Sequence, residues 1–408
     1  MRPGTPGFVA ERLIEAREAR GLSAAALADM IGVKPQMVSY YEHRKNTPGP
    51  EVLTKLCERL GMPTRFFLAP PSERAEQSAF FFRSMNAAGA TERKRVVVQL
   101  QWLRDLTACV IEKVELPRLN LPIHMDVPSE VTSISNEFIE DLATRVRRHW
   151  GMGDGPISNV AWLLENNGVL LSRMSLTLDK LDGVSAWFDD RPYMILNSDK
   201  ESAARSRFDA AHELGHVLLH RHVDQTKFNN TKVFKLIETQ AHRFASAFLL
   251  PARAFALEVH PLTLDHLVEL KQRWKLSVAL MIHRAADLDI LTDRSAELMW
   301  RRYAFKHWRT CEPLDDELPV ERPRMLQRAV DMMIRGGACT RDELFGKVPL
   351  SASDVERLAG LPTNYFNEEP ADAIDLQPRL RSNAGGQPTM GAQVLPFRPR
   401  NNSSIGGP

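Results

Sequence analysis

The chain has 408 residues and carries 53 Lys plus Arg against 51 Asp plus Glu, a net charge of +2 with a pI near 8.3. A composition of 43% hydrophobic and 25% charged residues excludes a chain disordered throughout, and the near-neutral balance confines any nucleic-acid surface to a local patch. The opening MRPGTPGFVAERL lacks an apolar signal stretch, and no run reaches the roughly 18 apolar residues of a membrane span, so a cytoplasmic protein without a membrane partner is expected. The four cysteines, Cys57, Cys109, Cys311 and Cys339, lie far apart without a CxxC, which argues against a disulfide framework or a thiolate metal site.

In chain order, residues 1–70 read as four short helices. ERLIEAREARG stops at Gly21, Ser23 caps AAALADMI, Pro35 opens PQMVSYYEH, and EVLTKLCERLG closes at Gly61. Residues 71–125 follow as a helical connector, with an aromatic cluster at Phe80–Phe82, the helical stretch VVVQLQWLRDLTACVIEKV and an extended LPRLNLP. Within 126–260 we expect a helix near Ile134–Trp150, a Gly-rich GMGDG, a helix at NVAWLLENN and a short strand in GVLLSRMSL. VSAWF and YMILN then form an edge hairpin about Asp189–Pro192, before helices from about Arg205 to His220 and Lys235 to Leu250. Residues 261–377 read as a helical C-terminal region, and 378–408, with five Pro, five Gly, four Arg and no acid, as a disordered basic tail. The basic runs Arg93–Arg95 and Arg145–Arg148 are expected to be solvated helix faces, and the stretch after Ser277 a packed helix pair.

The second and third helices, joined by Gly-Val-Lys, have the make-up of a helix-turn-helix, whose second helix enters the major groove. Gln36, Met37, Ser39 and Tyr40 would then meet base edges, while Lys34, Arg44 and Lys45 hold phosphates. Residues 1–70 hold ten Lys and Arg against seven Asp and Glu, a local excess of +3. Leu22-Ser23, Leu27-Ala28, Gly32-Val33, Ser39, Tyr41-Glu42 and Pro48 resemble the lambda-repressor-like (XRE-type) family, departing at His43-Arg44, where the family often has Asn-Gly.

FDAAHELGHVLLH contains His212-Glu213-Leu214-Gly215-His216. On a helix, positions i and i+4 share a face, so the two imidazoles converge, and Glu213 can reach a water at the metal as general base. A catalytic zinc takes three protein ligands and a water. His222 lacks the glycine that a metzincin turn needs, with Leu219 in its place. His220 lies about 12 Å along the axis from His212, too far to share the ion, and is expected to pack beside the site. Glu238 on the next helix can point back and is our third ligand. The HExxH and the later Glu238, Ala241, Phe244, Ala245, Leu249, Leu250 and Pro251 resemble the ImmA/IrrE metallopeptidase family. That resemblance implies zinc held by His212, His216 and Glu238, with Glu213 as the catalyst. His242 departs from it, standing where the family's Asn or Asp would orient a ligating imidazole.

FFFRSM, LPRLNLP and WKLSVALMIHRAADLDIL also look like long members that fuse the two units, so the likeness spans most of residues 8–365. It implies a mainly α protein: an N-terminal helix-turn-helix bundle, a small central α+β zincin-like peptidase domain, a helical C-terminal region and the tail. The function implied is a DNA-binding transcriptional regulator, dimeric by analogy, whose zinc-dependent peptidase acts on a repressor or other protein. A non-catalytic ligand sensor and an antitoxin-like regulator are the alternatives.

Overall fold

The computed structural model describes residues 4–71, 81–82, 89–122, 126–176, 181–199, 202–223 and 230–367. The stretch read as a tail, 378–408, lies outside them, as do Phe80 and the side chains of Phe81 and Phe82. Residues Met1–Asn367 form one compact unit, mostly helical, with one small sheet.

The N-terminal bundle comprises α1 (Ala10–Ala19), α2 (Ala24–Ile31), α3 (Pro35–Glu42), α4 (Pro50–Leu60) and α5 (Thr64–Leu68). Ser23 Oγ accepts from the Ala26 N–H, and Gly32, at φ 71°, ends α2 in the left-handed conformation that glycine adopts without strain. The fifth helix was not among the four expected, because five residues are too few to show a period. Its Phe66 and Phe67 are nevertheless fully buried, Phe66 edge-on to Trp102. Trp102 belongs to α6 (Ala90–Ile111), the long helix on which α1 packs.

After α6 come α7 (Asn136–His149), α8 (Val160–Asn166), three of the four sheet strands, α9 (Ala203–Leu219) and α10 (Thr231–Leu249). Seven further helices follow, α11 (Ala252–Glu258), α12 (Leu264–Trp274), α13 (Val278–Asp287), α14 (Asp293–Phe305), α15 (Met325–Arg335), α16 (Arg341–Lys347) and α17 (Ala352–Ala359). One basic run differs from expectation. Arg147 is buried, not solvated, because its guanidinium donates to the carbonyls of Gly153, Gly155 and Phe248, tying the Gly-rich turn to the end of α10. Among the described residues no helix is long and apolar enough to cross a membrane.

The sheet contains β1 (Phe81–Phe82), β2 (Leu170–Met174), β3 (Gly183–Phe188) and β4 (Arg191–Asn197), in the order β1-β3-β4-β2. β3 and β4 are the expected hairpin, antiparallel about a two-residue turn whose Asp189 sits at φ 53°. They are not its edge, however: β2 pairs parallel with β4 on one side, and β1 pairs antiparallel with β3 on the other. The sequence could not show this, because β1 lies about a hundred residues upstream of its partner and is only two residues long.

Alternation along the strands divides the interior. Val184, Ala186, Phe188, Tyr193 and Ile195 face a core shared with the N-terminal bundle, α6 and α15–α17. Trp187, Met194 and Leu196 face a second core built on α7–α10 and α12–α14. Because the period is 2, a one-residue slip would exchange the two faces. Arg20, the C-cap of α1, forks onto Asp354 of α17 at 2.7 and 3.0 Å, and Ser172 Oγ of β2 donates to the Leu358 carbonyl, so α17 bridges the N-terminal bundle and the sheet.

Candidate metal centre and nucleic-acid interface

α9 lies against the sheet face that carries Ser185 and Trp187, whose indole N–H donates to the Val217 carbonyl at 3.2 Å. Nearly every residue of α9 is buried, His212, Glu213 and His216 among them. α10, capped by Asn230, crosses it where Gly215 allows contact: a Cβ at 215 would stand 3.2 Å from the Ala241 Cα and carbonyl oxygen. Glycine costs a helix interior about 1 kcal/mol relative to alanine, and here that cost is offset by the approach of α10.

Glu238 lies one turn before Ala241, and the approach brings its carboxylate to the histidines. His212 Nε2 and His216 Nε2 are 3.0 Å apart, and each is 3.4 Å from a Glu238 oxygen. The imidazoles are buried, while Glu238 is 19% exposed and marks the side open to water.

Hydrogen bonds behind His216 determine its tautomer. Gln240 Nε2 donates to the carbonyls of Val131 and Ile134, and only the amide nitrogen can do so. Its Oε1 therefore accepts from His220 Nε2 at 3.0 Å. Burial first, and the neighbouring His216 second, push the His220 pKa down to about 3, so the ring is neutral and its Nδ1 is an acceptor. His216 Nδ1, 3.1 Å away, must be the donor, and its Nε2 then carries the lone pair that faces His212 and Glu238. That lone pair can take an N–H from His212 or bind a cation set between the two imidazoles and the carboxylate. A tetrahedral ion with bonds of about 2.0–2.1 Å spaces its ligands about 3.3 Å apart, so a His-His-Glu set at 3.0–3.4 Å fits zinc.

His220 thus sits beside the site, as expected, and anchors a ligand from behind. His220→Ala is expected to weaken zinc binding 10- to 100-fold, the usual cost of losing a partner that orients a ligand, measured by competition with a chromogenic chelator. An unchanged affinity would remove this role.

Glu213 lies within 4.8 Å of the same two imidazole donors. Its Oε2 accepts from Ser185 Oγ of β3 at 2.6 Å, and Gly183 gives it room, since a Cβ at 183 would come within 3.1 Å of Glu213 Cγ and Oε1. Neither Ser185 nor Gln240 was legible as a site residue: each is one polar residue in a buried element, without a motif. His222 is exposed beyond α9. His242, at the departure from the family pattern, places its ring 4.8 Å from that of Phe208 and 6.3 Å from that of His283.

At the other site, α3 leaves Lys34, Gln36, Tyr40, Arg44 and Lys45 exposed, with Tyr40 at 43%. Met37 is half-buried against the core, and Ser39 Oγ lies 3.4 Å from His43 Nδ1. Arg44 pairs with Glu11, and the Lys45 ammonium stands 5.8 Å from the Tyr40 ring centre. Gln36→Ala is expected to relax preference at one or two base pairs, costing about 1–3 kcal/mol, whereas Lys45→Ala should weaken all sequences alike and flatten the salt dependence. Binding to a randomised duplex library at fixed salt tests both, and an unchanged profile for Gln36→Ala would show that α3 does not read bases.

A bundle presenting a helix-turn-helix and a buried HExxH helix answered by a glutamate together define a DNA-binding protein with a metallopeptidase-like domain. Residues 13–67 match the helix-turn-helix family, here of XRE type, and residues 164–286 match the IrrE N-terminal-like domain of the M78 peptidases. No curated protein matches the chain.

Proposed function

We propose that the chain is a transcriptional regulator that binds an operator through residues 1–70, as a homodimer, and hydrolyses a peptide bond in a protein partner, such as a repressor, through a zinc site in residues 126–260. Residues 71–125 and 261–377 hold the two units against each other in this reading. The observation that carries it is the convergence of His212, His216 and Glu238 on one point, with the Glu213 carboxylate held alongside.

Zinc bound there supplies a Lewis acid for the scissile carbonyl and an acidified water. The chain's own residues do the rest. Ser185 fixes Oε2 of Glu213, which leaves Oε1 to take the proton of the attacking water and return it to the departing amine. The Gln240–His220 chain keeps the His216 lone pair aimed at the ion. Metal analysis of the purified protein, with incubation against candidate repressor proteins and mass spectrometry of the products, tests the reading. About one zinc per chain and a defined cleavage are expected, and a metal-free protein or intact partners under all conditions would refute it.

A further inference from the structure

β3 is the strand that touches the catalytic carboxylate. Ser185 donates to Glu213 at 2.6 Å, and Gly183 leaves the space that Glu213 fills. One edge of β3 is taken by β4. The other is taken by the chain itself: the backbone of Phe81–Phe82 runs antiparallel to it, with Phe81 opposite Ser185 and Phe82 opposite Val184. Paired strands lie about 4.7–4.9 Å apart, so this backbone passes one strand spacing from the residue that holds the general base.

A peptide cut by Glu213 must bring its main chain to the same place. Strand addition to an exposed edge is the docking mode that main-chain hydrogen bonds offer to an extended segment, and the β1 side is the edge of β3 left open for it by β4. We propose that Phe81–Phe82 occupies the position of an extended protein substrate, so that the connector after the N-terminal bundle carries a built-in competitor for the chain's own peptidase site. This rests on the metallopeptidase reading above.

The physics favours a competitor that can be displaced. The pairing involves only two residues, so it holds few ladder bonds. Its hold comes from the tether, since a segment linked to its own site acts at an effective concentration on the order of millimolar. A substrate that binds the edge more tightly, or is itself concentrated on the regulator, displaces it. The partner this edge fits is an extended, unfolded segment of a protein, recognised largely through its backbone.

The test uses the full zinc-loaded chain in a Glu213→Gln background, so that binding is read without hydrolysis. The probe is a fluorescein-labelled synthetic peptide of residues 76–87 of this chain, followed by anisotropy. Of two consecutive strand residues only one directs its N–H and C=O to a given neighbour, so both are replaced. Phe81→Pro with Phe82→Pro removes the pairing donor whichever residue supplies it. Phe81→Val with Phe82→Val keeps a good strand former and serves as the control.

For a probe that binds the open edge with a Kd of about 0.1 mM, a tether at about 1 mM makes the proline pair bind it about 10-fold more tightly than the parent, with the valine pair within about twofold of the parent. Equal binding by all three would overturn the proposal, as would absence of binding in all three. If the proline pair fails to fold, the parent decides. Millimolar probe should then speed hydrogen exchange of the amides at 81 and 82, and unchanged exchange overturns the proposal. Failure of the metallopeptidase reading is seen separately, in zinc content and in cleavage that depends on Glu213.

Discussion

Glu213→Gln is expected to lower cleavage of the partner protein by about 10²-fold or more while leaving zinc content and operator binding as in the parent. Glutamine matches glutamate in size and can still accept the Ser185 hydrogen bond, so the buried contact between β3 and α9 is kept. It cannot take a proton. In the proposed site the metal is held by His212, His216 and Glu238, so the substitution leaves its ligands in place. The variant therefore separates metal binding from chemistry. In cells the regulated genes should stay in their unstimulated state. If they respond as they do with the parent chain, hydrolysis is not the mechanism and the central domain acts as a ligand sensor. The measurement is a single-turnover cleavage assay paired with a reporter of the operator.

His216→Ala should abolish stable metal binding. It removes one of two imidazoles and also empties the end of the hydrogen-bond chain that runs through His220 and Gln240. One imidazole and one carboxylate, the pair that remains, do not hold zinc against a chelator. Dialysis against a weak chelator should leave the parent near one zinc per chain and the variant near none. Glu238→Ala should lose less, because the imidazole pair stays and water can enter on the partly exposed Glu238 side. Stability follows the metal: free zinc at 100 times its dissociation constant adds about 2.7 kcal/mol to the folded state. A chelator should thus lower the unfolding midpoint of the parent and leave that of His216→Ala unmoved. Full zinc occupancy in His216→Ala would remove the site as drawn.

The legible parts of the molecule are those where local chemistry repeats. Ser23, Gly32 and Pro35 punctuate α2 and α3 because caps and proline act through their own backbone neighbours. His212 and His216 were readable as a pair because helical geometry alone places i and i+4 on one face. Glu238 lay within reach of sequence reasoning because it follows on the adjacent helix. The short α5 and the two-residue β1 were not legible, since neither is long enough to carry a period. The run at Arg145–Arg148 misled in one residue: a charge pattern shows the helix face but not the carbonyls of Gly153, Gly155 and Phe248 that satisfy Arg147 in the interior.

The sequence by itself determined the two motifs, a helix-turn-helix and an HExxH helix, because each is encoded in residues close together in the chain. Tertiary structure alone decided how they are joined. A sheet buried on both faces is the common wall of two cores, one holding the N-terminal bundle and the other the HExxH helix. Ser185 and the backbone at Phe81–Phe82 take their places from that wall, and Gln240 takes its place from the packing of α10 on α9. Their partners lie 28, about a hundred and 20 residues away, and contacts at such separations follow from packing and strand register, which no local pattern specifies.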